Sequence, residues 1–233
     1  MTFVNTVHRL ALASTLGFGS FAIAAPVVVD FSNYPNTGVH ATVSSGGFTF
    51  APASGTIAVA FNGSNCSPTC AANGTTALAV GAPNLNPPSF APVTMTTAIY
   101  ASFRLTGLDY AELSESAATN YSASTIVMTG ALLGGGTVSQ TLTINGLNDG
   151  PGGANDFQSA VLDAFWGASE LVSLQFSGFI GNSPNKAFQL DNIALDVTRV
   201  GNVPEPGSLA LAGLALAGLW QTRRMRGRKA RQA

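Results

Sequence analysis

Charge is scarce in this chain. Asp, Glu, Lys and Arg make up 9% of its 233 residues, where about a quarter is usual for soluble domains. Lysine occurs only at Lys186 and Lys229, histidine only at His8 and His40, and cysteine only at Cys66 and Cys70. Each shortage excludes something. Between residues 25 and 202 the basic residues are Arg104, Lys186 and Arg199, set against ten acids, a balance of −7. A lysine-poor acidic body offers no footprint for nucleic acid. A Ser-His-Asp or Cys-His apparatus would have to use His40, yet the sequence has neither a Gly-x-Ser-x-Gly elbow nor a His-Glu-x-x-His pair. His40 reads as a loop or strand-edge residue. Ten acids would allow a pair for glycoside hydrolysis, but no motif selects one, so no catalytic residue is assigned.

Cys66 and Cys70 enclose Ser67-Pro68-Thr69 in a stretch rich in Asn, Gly and Thr. Two cysteines alone fall short of a zinc set. In an oxidising compartment the expectation is a disulfide between them. Its entropic effect is modest, because little chain is closed.

What the chain has in plenty is Gly, Ser, Thr and Asn, with 46% hydrophobic residues. Its two ends carry opposite messages. His8 and Arg9 close a short polar start, Leu10 to Ile23 is apolar, and Ala22-Ile23-Ala24 fits the small-residue cleavage rule. Residues 1–24 therefore read as a signal peptide cut after Ala24. The far end runs Val203-Pro204-Glu205-Pro206, then an uncharged stretch Leu209–Trp220, then Arg223, Arg224, Arg226, Arg228, Lys229 and Arg231. The prolines forbid helix and hold an extended segment. The apolar run is helix-competent, and the arginines act as a cytoplasmic stop by the positive-inside rule. Twelve residues at helical rise span about 18 Å against about 30 Å of hydrocarbon, which suits a temporary anchor.

Between these ends, short runs rich in Val, Ile, Thr and Phe alternate with Gly, Pro, Asn and Ser, the signature of many short strands. Expected strands are 27–31, 47–50, 56–61, 77–80, 94–105, 124–132, 138–144, 171–179 and 188–197. In 94–105, Met95, Ile99, Ala101, Phe103 and Leu105 share one face, and the run is expected to stop at Gly107. In 138–144 the inward set Val138, Leu142 and Ile144 is interrupted by Gln140. In 171–179, Val172, Leu174 and Phe176 oppose Ser173, Gln175 and Ser177, the one-wet-face pattern of an antiparallel sheet. One short helix is placed near Phe157–Phe165, or else a long loop. The fold class is all-β, an antiparallel β-sandwich of jelly-roll type, with a signal peptide before it and a C-terminal hydrophobic helix after it. The domains are 1–24 signal peptide, 25–201 sandwich and 202–231 sorting and anchor segment. Tyr34, Tyr100, Tyr110, Tyr121 and Trp166 have rings suited to stacking on sugars, but their spacing selects no platform.

The C-terminal arrangement of Pro-Glu-Pro, apolar run and arginine cluster resembles the PEP-CTERM sorting signal, which membrane proteases called exosortases recognise. The resemblance implies an exported protein of a Gram-negative bacterium. Such a protein passes transiently through the inner membrane to the outer surface or extracellular matrix. The implied role is non-enzymatic, with exosortase as partner and association with exopolysaccharide. The alternative is a secreted, lectin-like carbohydrate-binding module.

The body resembles the jelly-roll, carbohydrate-binding-module-like domains of such proteins through Val29-Asp30-Phe31, Gly46-Gly47-Phe48-Thr49-Phe50 and Phe188-Gln189-Leu190-Asp191-Asn192-Ile193. That resemblance implies that the first and last strands lie together, with Asp30 and Asp191 as ligands of a structural calcium. Local hydrogen bonding by two turn or edge carboxylates is the alternative at the same residues.

Overall fold

A computed structural model of the protein describes residues 25–34, 37–54, 58–61, 70–81, 91–113, 122–146 and 156–199. All fall in the compact unit Ile23–Gly201. The expected leader, Cys66, Tyr121, the Pro-Glu-Pro segment, the hydrophobic helix Leu209–Trp220 and the arginine tail lie outside the described residues. Among the described residues no helix is long and apolar enough to cross a membrane.

The first strands are β1 (Ala25–Val29), β2 (Thr37–His40), β3 (Val43–Ser45), β4 (Phe48–Pro52), β5 (Ala58–Phe61) and β6 (Ala77–Val80). Then come β7 (Val93–Thr97), β8 (Tyr100–Glu112), β9 (Thr125–Leu132), β10 (Thr137–Thr143) and the short β11 (Gln158–Ser159). After the one-turn helix α1 (Ala164–Ala168) follow β12 (Leu171–Ile180), β13 (Ser183–Pro184) and β14 (Phe188–Arg199). Every strand pairing is antiparallel, in a continuous path β2-β5-β6-β14-β8-β12-β7-β4-β3, with β9 on the other edge of β12 and β10 beyond it.

The path doubles over into two layers. One is β3-β4-β7-β12-β9-β10, and the other centres on β14 and β8. They meet at a corner where β12 touches β8 through one register pair, Leu171 and Phe103. Phe48 of β4 and Phe103 of β8 lie several strands apart along the path, yet their rings meet edge to face at 5.2 Å. That contact can only cross the core. Phe31, Phe50, Met95, Leu105, Met128, Leu174, Phe176 and Leu195 fill the same interior at 0 or 1% exposure. Period-two alternation produces this. Phe48 and Phe50 are buried on either side of Thr49, and Ile126 and Met128 on either side of Val127. The β-sandwich expected from the sequence is the fold observed.

β1 lies along β14 from Ala25 opposite Val197 to Val29 opposite Ile193, so first and last strands do lie together. β3 and β4 join through Gly46 (φ +59°) and Gly47 (φ +84°). Two successive positive φ values make the mirror-image turn that matches strand twist.

Four details differ from the periodicity reading. The run 94–105 divides into β7 and β8, because Thr97 Oγ1 accepts the Ile99 and Tyr100 amides, both at 3.3 Å, and donates to Gly47 O at 2.9 Å. Ile99 is therefore turned out to 54% exposure. β8 does not stop at Gly107. A register irregularity against β14 at that point lets pairing resume as far as Glu112. Val172 is 39% exposed rather than inward, because a bulge between Leu171 and Ser173 puts Leu171 in the core instead. The helix begins only at Ala164, since Gln158 and Ser159 pair with Tyr110 and Asp109 of β8.

Candidate functional site

The polar centre of the described body forms where β8 and β14 lose register. Asp109 faces Asp191, and the next aligned pair is Gly107 with Ala194. Asn192, beside this irregularity, takes φ +47°, a left-handed conformation that asparagine tolerates better than most residues. Asn192 fastens the two strands. Its Nδ2 donates to Asp109 Oδ2 at 2.8 Å, and its backbone N–H donates to Asp191 Oδ1 at 2.8 Å. Ser159 Oγ donates to the other Asp109 oxygen at 2.7 Å.

The segment before β6 completes the cluster. Asn73 Nδ2 donates to Asp191 Oδ2 at 2.6 Å, and Thr75 Oγ1 lies 2.7 Å from the same oxygen. Asn73 Oδ1 accepts the Thr75 amide at 3.1 Å and has Thr75 Oγ1 at 2.7 Å. Thr75 has one hydroxyl proton and two acceptors within reach. That hydroxyl is shared between Asp191 Oδ2 and Asn73 Oδ1. Asp191 is fully buried, and burial raises its carboxyl above the ordinary value of 3.8. Hydrogen bonds from Asn73, Thr75 and Asn192 oppose the rise, while the Asp109 charge adds to it.

The structure places Asp30 at the end of β1, where its Oδ1 accepts the Ser32 amide at 3.2 Å and the Ser32 hydroxyl at 2.9 Å. This is local turn chemistry. The acid standing against Asp191 is Asp109, which sequence reasoning did not single out. Among the described residues no group of three or more His, Cys, Asp or Glu gathers as a metal set. Calcium takes six to eight oxygen ligands. The Asp191 oxygens already accept from Asn73 Nδ2, Thr75 Oγ1 and the Asn192 amide, and Asp30 is engaged with its own Ser32.

The other named residues are positioned as follows. His40 ends β2, and its ring meets Tyr34 edge to face at 5.1 Å. Cys70 is buried, and no described cysteine is free. Tyr110 is buried, donates to Thr143 O at 2.9 Å and has its phenol raised by burial. Trp166 is fully buried and held by Gln140. Neither of these last two rings is available for stacking on a sugar. Sequence reasoning missed Asn73, Thr75, Asp109, Ser159 and Asn192. The only local signal was Asn73-Gly74-Thr75, which reads as an ordinary turn.

Comparison with known proteins gives a result for each end of this description. A solved family 29 carbohydrate-binding module, a variant studied for ligand recognition, aligns over 76% of this chain and 87% of its own length. Its identity is 10% and its TM-score 0.32. No curated protein matches. The PEP-CTERM protein-sorting motif matches residues 202–224. The match takes in Val203, Pro204, Glu205 and Pro206, the apolar run, and Arg223 and Arg224, while Arg226 and Arg228 follow it. This chain carries a PEP-CTERM protein-sorting signal behind an all-β, antiparallel sandwich.

Proposed function

We propose that the chain is an exported, non-enzymatic protein of a Gram-negative cell surface or extracellular matrix, with a β-sandwich body as the delivered cargo. The sorting motif at residues 202–224 carries this reading. Residues 1–24 are the leader, 25–201 the body and 202–231 the segment presented to exosortase. Val203-Pro204-Glu205-Pro206 is the recognition element. Leu209–Trp220 holds the chain in the inner membrane for a time, and Arg223, Arg224, Arg226 and Arg228 keep the end cytoplasmic. Ala25, the residue after the proposed cut, is the first residue of β1 and pairs with Val197. A cut there would keep the whole first strand. The non-enzymatic reading rests on the single histidine left to the body and on the lack of a nucleophile or metalloprotease motif.

The test is a full chain with a C-terminal tag, expressed in a host with a working exosortase. The mature protein starts at or within about two residues of Ala25, the latitude a small-residue cleavage site allows, and has lost the tag. Replacing Glu205, or both flanking prolines, leaves an unprocessed form in the inner membrane. Replacing the arginines lets the chain slip through or misorient. A tag retained on the surface protein, or a mature chain that keeps Met1, overturns the proposal.

A further inference from the structure

Both ends of the described body leave from one end of the sandwich. Ala25, the first residue of β1, pairs with Val197, and Arg199, the last of β14, pairs with Tyr100 at the start of β8. Phe48 aligns with Thr97, Thr96 with Ser173, and Ser173 with Ala131. The same end therefore carries the β3–β4 turn, the β7–β8 turn with Ile99, the start of β12 and the β9–β10 turn.

Five large hydrophobics are exposed among the described residues: Val28, Ile99, Leu133, Val161 and Val172. Scattered singly, such residues are ordinary. Three of the five, Ile99, Leu133 and Val172, sit at this one end, on three separate pieces of chain. Register makes them neighbours. Val172 stands between Leu171, which aligns with Phe103 of β8, and Ser173, which aligns with Thr96 just before the Ile99 turn. Leu133 donates its amide to Glu170 O, two residues before Val172.

Charge follows the same axis. Arg199 is exposed at this end, Glu170 is held by Arg104 at 2.9 Å, and Asp196 aligns with that arginine. Asp30, Asp109, Glu112 and Asp191 lie toward the opposite ends of β1, β8 and β14. Apolar tips beside an exposed cation, with the acids set back, suit the interface of a bilayer.

The chain beyond Arg199 decides what meets this end. Pro204 is five residues past Arg199, and Leu209, where the uncharged run begins, is ten past it. Ten residues fully extended reach at most about 33–36 Å, and five about 17 Å. The 12 residues of β14 span about 36–40 Å at strand rise. With Leu209–Trp220 in a bilayer, the far end of the sandwich meets it only if the tether is pulled straight along the whole of β14. The near end meets it with slack.

We infer that this end of the sandwich is a membrane-docking surface. Ile99, Leu133 and Val172 enter the interface of the bilayer that holds the anchor, and the contact keeps Pro204-Glu205-Pro206 at the membrane surface. The inference rests on the sorting reading above and adds the body's own part in it.

The experiment uses the exported chain with its tail intact, isolated from a host without exosortase. It is reconstituted into phosphatidylcholine–phosphatidylglycerol vesicles with brominated acyl chains, which quench nearby indoles. Trp220 reports the anchor. Ile99→Trp and Leu133→Trp each add an indole at the near end. Asn182→Trp adds one at an exposed position in the β12–β13 turn, at the far end. The added emission is lost in the first two and kept in the third. Added indoles at 99 and 133 that keep their emission, or equal quenching at all three sites, overturn the inference. Should the near-end variants melt early, hydrogen exchange of the unsubstituted chain decides. Amides of the 132–137 turn exchange several-fold more slowly on vesicles than in the tail-free chain released by a host with exosortase, and those of 181–185 do not change. Unaltered exchange at 132–137 overturns the inference. Quenched Trp220 without near-end quenching sinks this inference alone, and an unquenched Trp220 sinks the anchor reading and this inference with it.

Discussion

The indole of Trp166 donates its Nε1–H to Gln140 Oε1 at 2.6 Å from a fully buried position. The same oxygen accepts the Asp163 amide at 3.1 Å, and Gln140 Nε2 donates to Val161 O at 2.8 Å. One polar side chain on an otherwise apolar strand face thus fastens the 161–166 segment over β10. Trp166 needs the room beneath it: a Cβ on Gly130 would come within 3.0 Å of the indole and 2.8 Å of Leu171.

Gln140→Leu should destabilise the body by about 1–3 kcal/mol, because it leaves a buried indole donor and a backbone amide without their acceptor. Adding Trp166→Phe should recover part of the acceptor loss, at the cost of a smaller ring. A denaturant titration of the four combinations gives the coupling. Independent, additive effects would show that the bond does not hold the segment.

Asp191 sets the direction of a pH dependence. Its folded-state carboxyl is raised above the ordinary 3.8, so the folded protein holds the proton more tightly than the unfolded chain. The contribution is complete below 3.8 and is lost as pH rises through the folded value. Wild type should therefore lose stability relative to Asp191→Asn as pH climbs out of the acid range, and the two profiles should run parallel above that window. An Asp191 profile that instead gains stability over the window would mean that the carboxylate is held charged. Calcium supplies the second arm. Added Ca²⁺ should leave the melting temperature unchanged, because the carboxyl is occupied by hydrogen-bond partners. A rise abolished by Asp191→Ala would restore the calcium site, since a ligand of the folded state raises its melting temperature.

The cysteines give the third prediction. Thiol labelling of denatured, unreduced protein from outside the cytoplasm should find Cys66 and Cys70 blocked, and reduction should free both. Free thiols would contradict the pairing. Replacing both with serine should cost no more than about 2–3 kcal/mol, below the 15-residue case, because the loop closed is so short.

Much of the architecture was legible from the alternation of side chains. β6 runs Ala77–Val80, as the run of small and branched residues suggests, and β9, β10, β12 and β14 fall within about two residues of their expected bounds. β9, β12 and the second half of β14 have one buried face, and period two records that directly, while β6 is buried on both. The misses have equally definite causes. The division of 94–105 depends on the Thr97 hydroxyl reaching Gly47, which is fifty residues away. The inward Leu171 depends on a bulge, which slips the period by one residue and leaves no composition signal.

The sequence by itself determined the sorting signal at the C-terminal end and the β class of the body. The order of Pro-Glu-Pro, apolar run and arginines is linear information, and the sorting motif matched over residues 202–224 reads it in the same linear form. Only tertiary structure decided which acids meet. Asp191 stands against Asp109 because β14 and β8 are neighbours in the sheet, while Asp30 turns to its own Ser32. It alone decided, too, that Gln140 is a core acceptor rather than a flaw in a pattern. The reason is one of distance: periodicity reports which way a side chain faces, and only strand pairing brings residues scores of positions apart within hydrogen-bonding range.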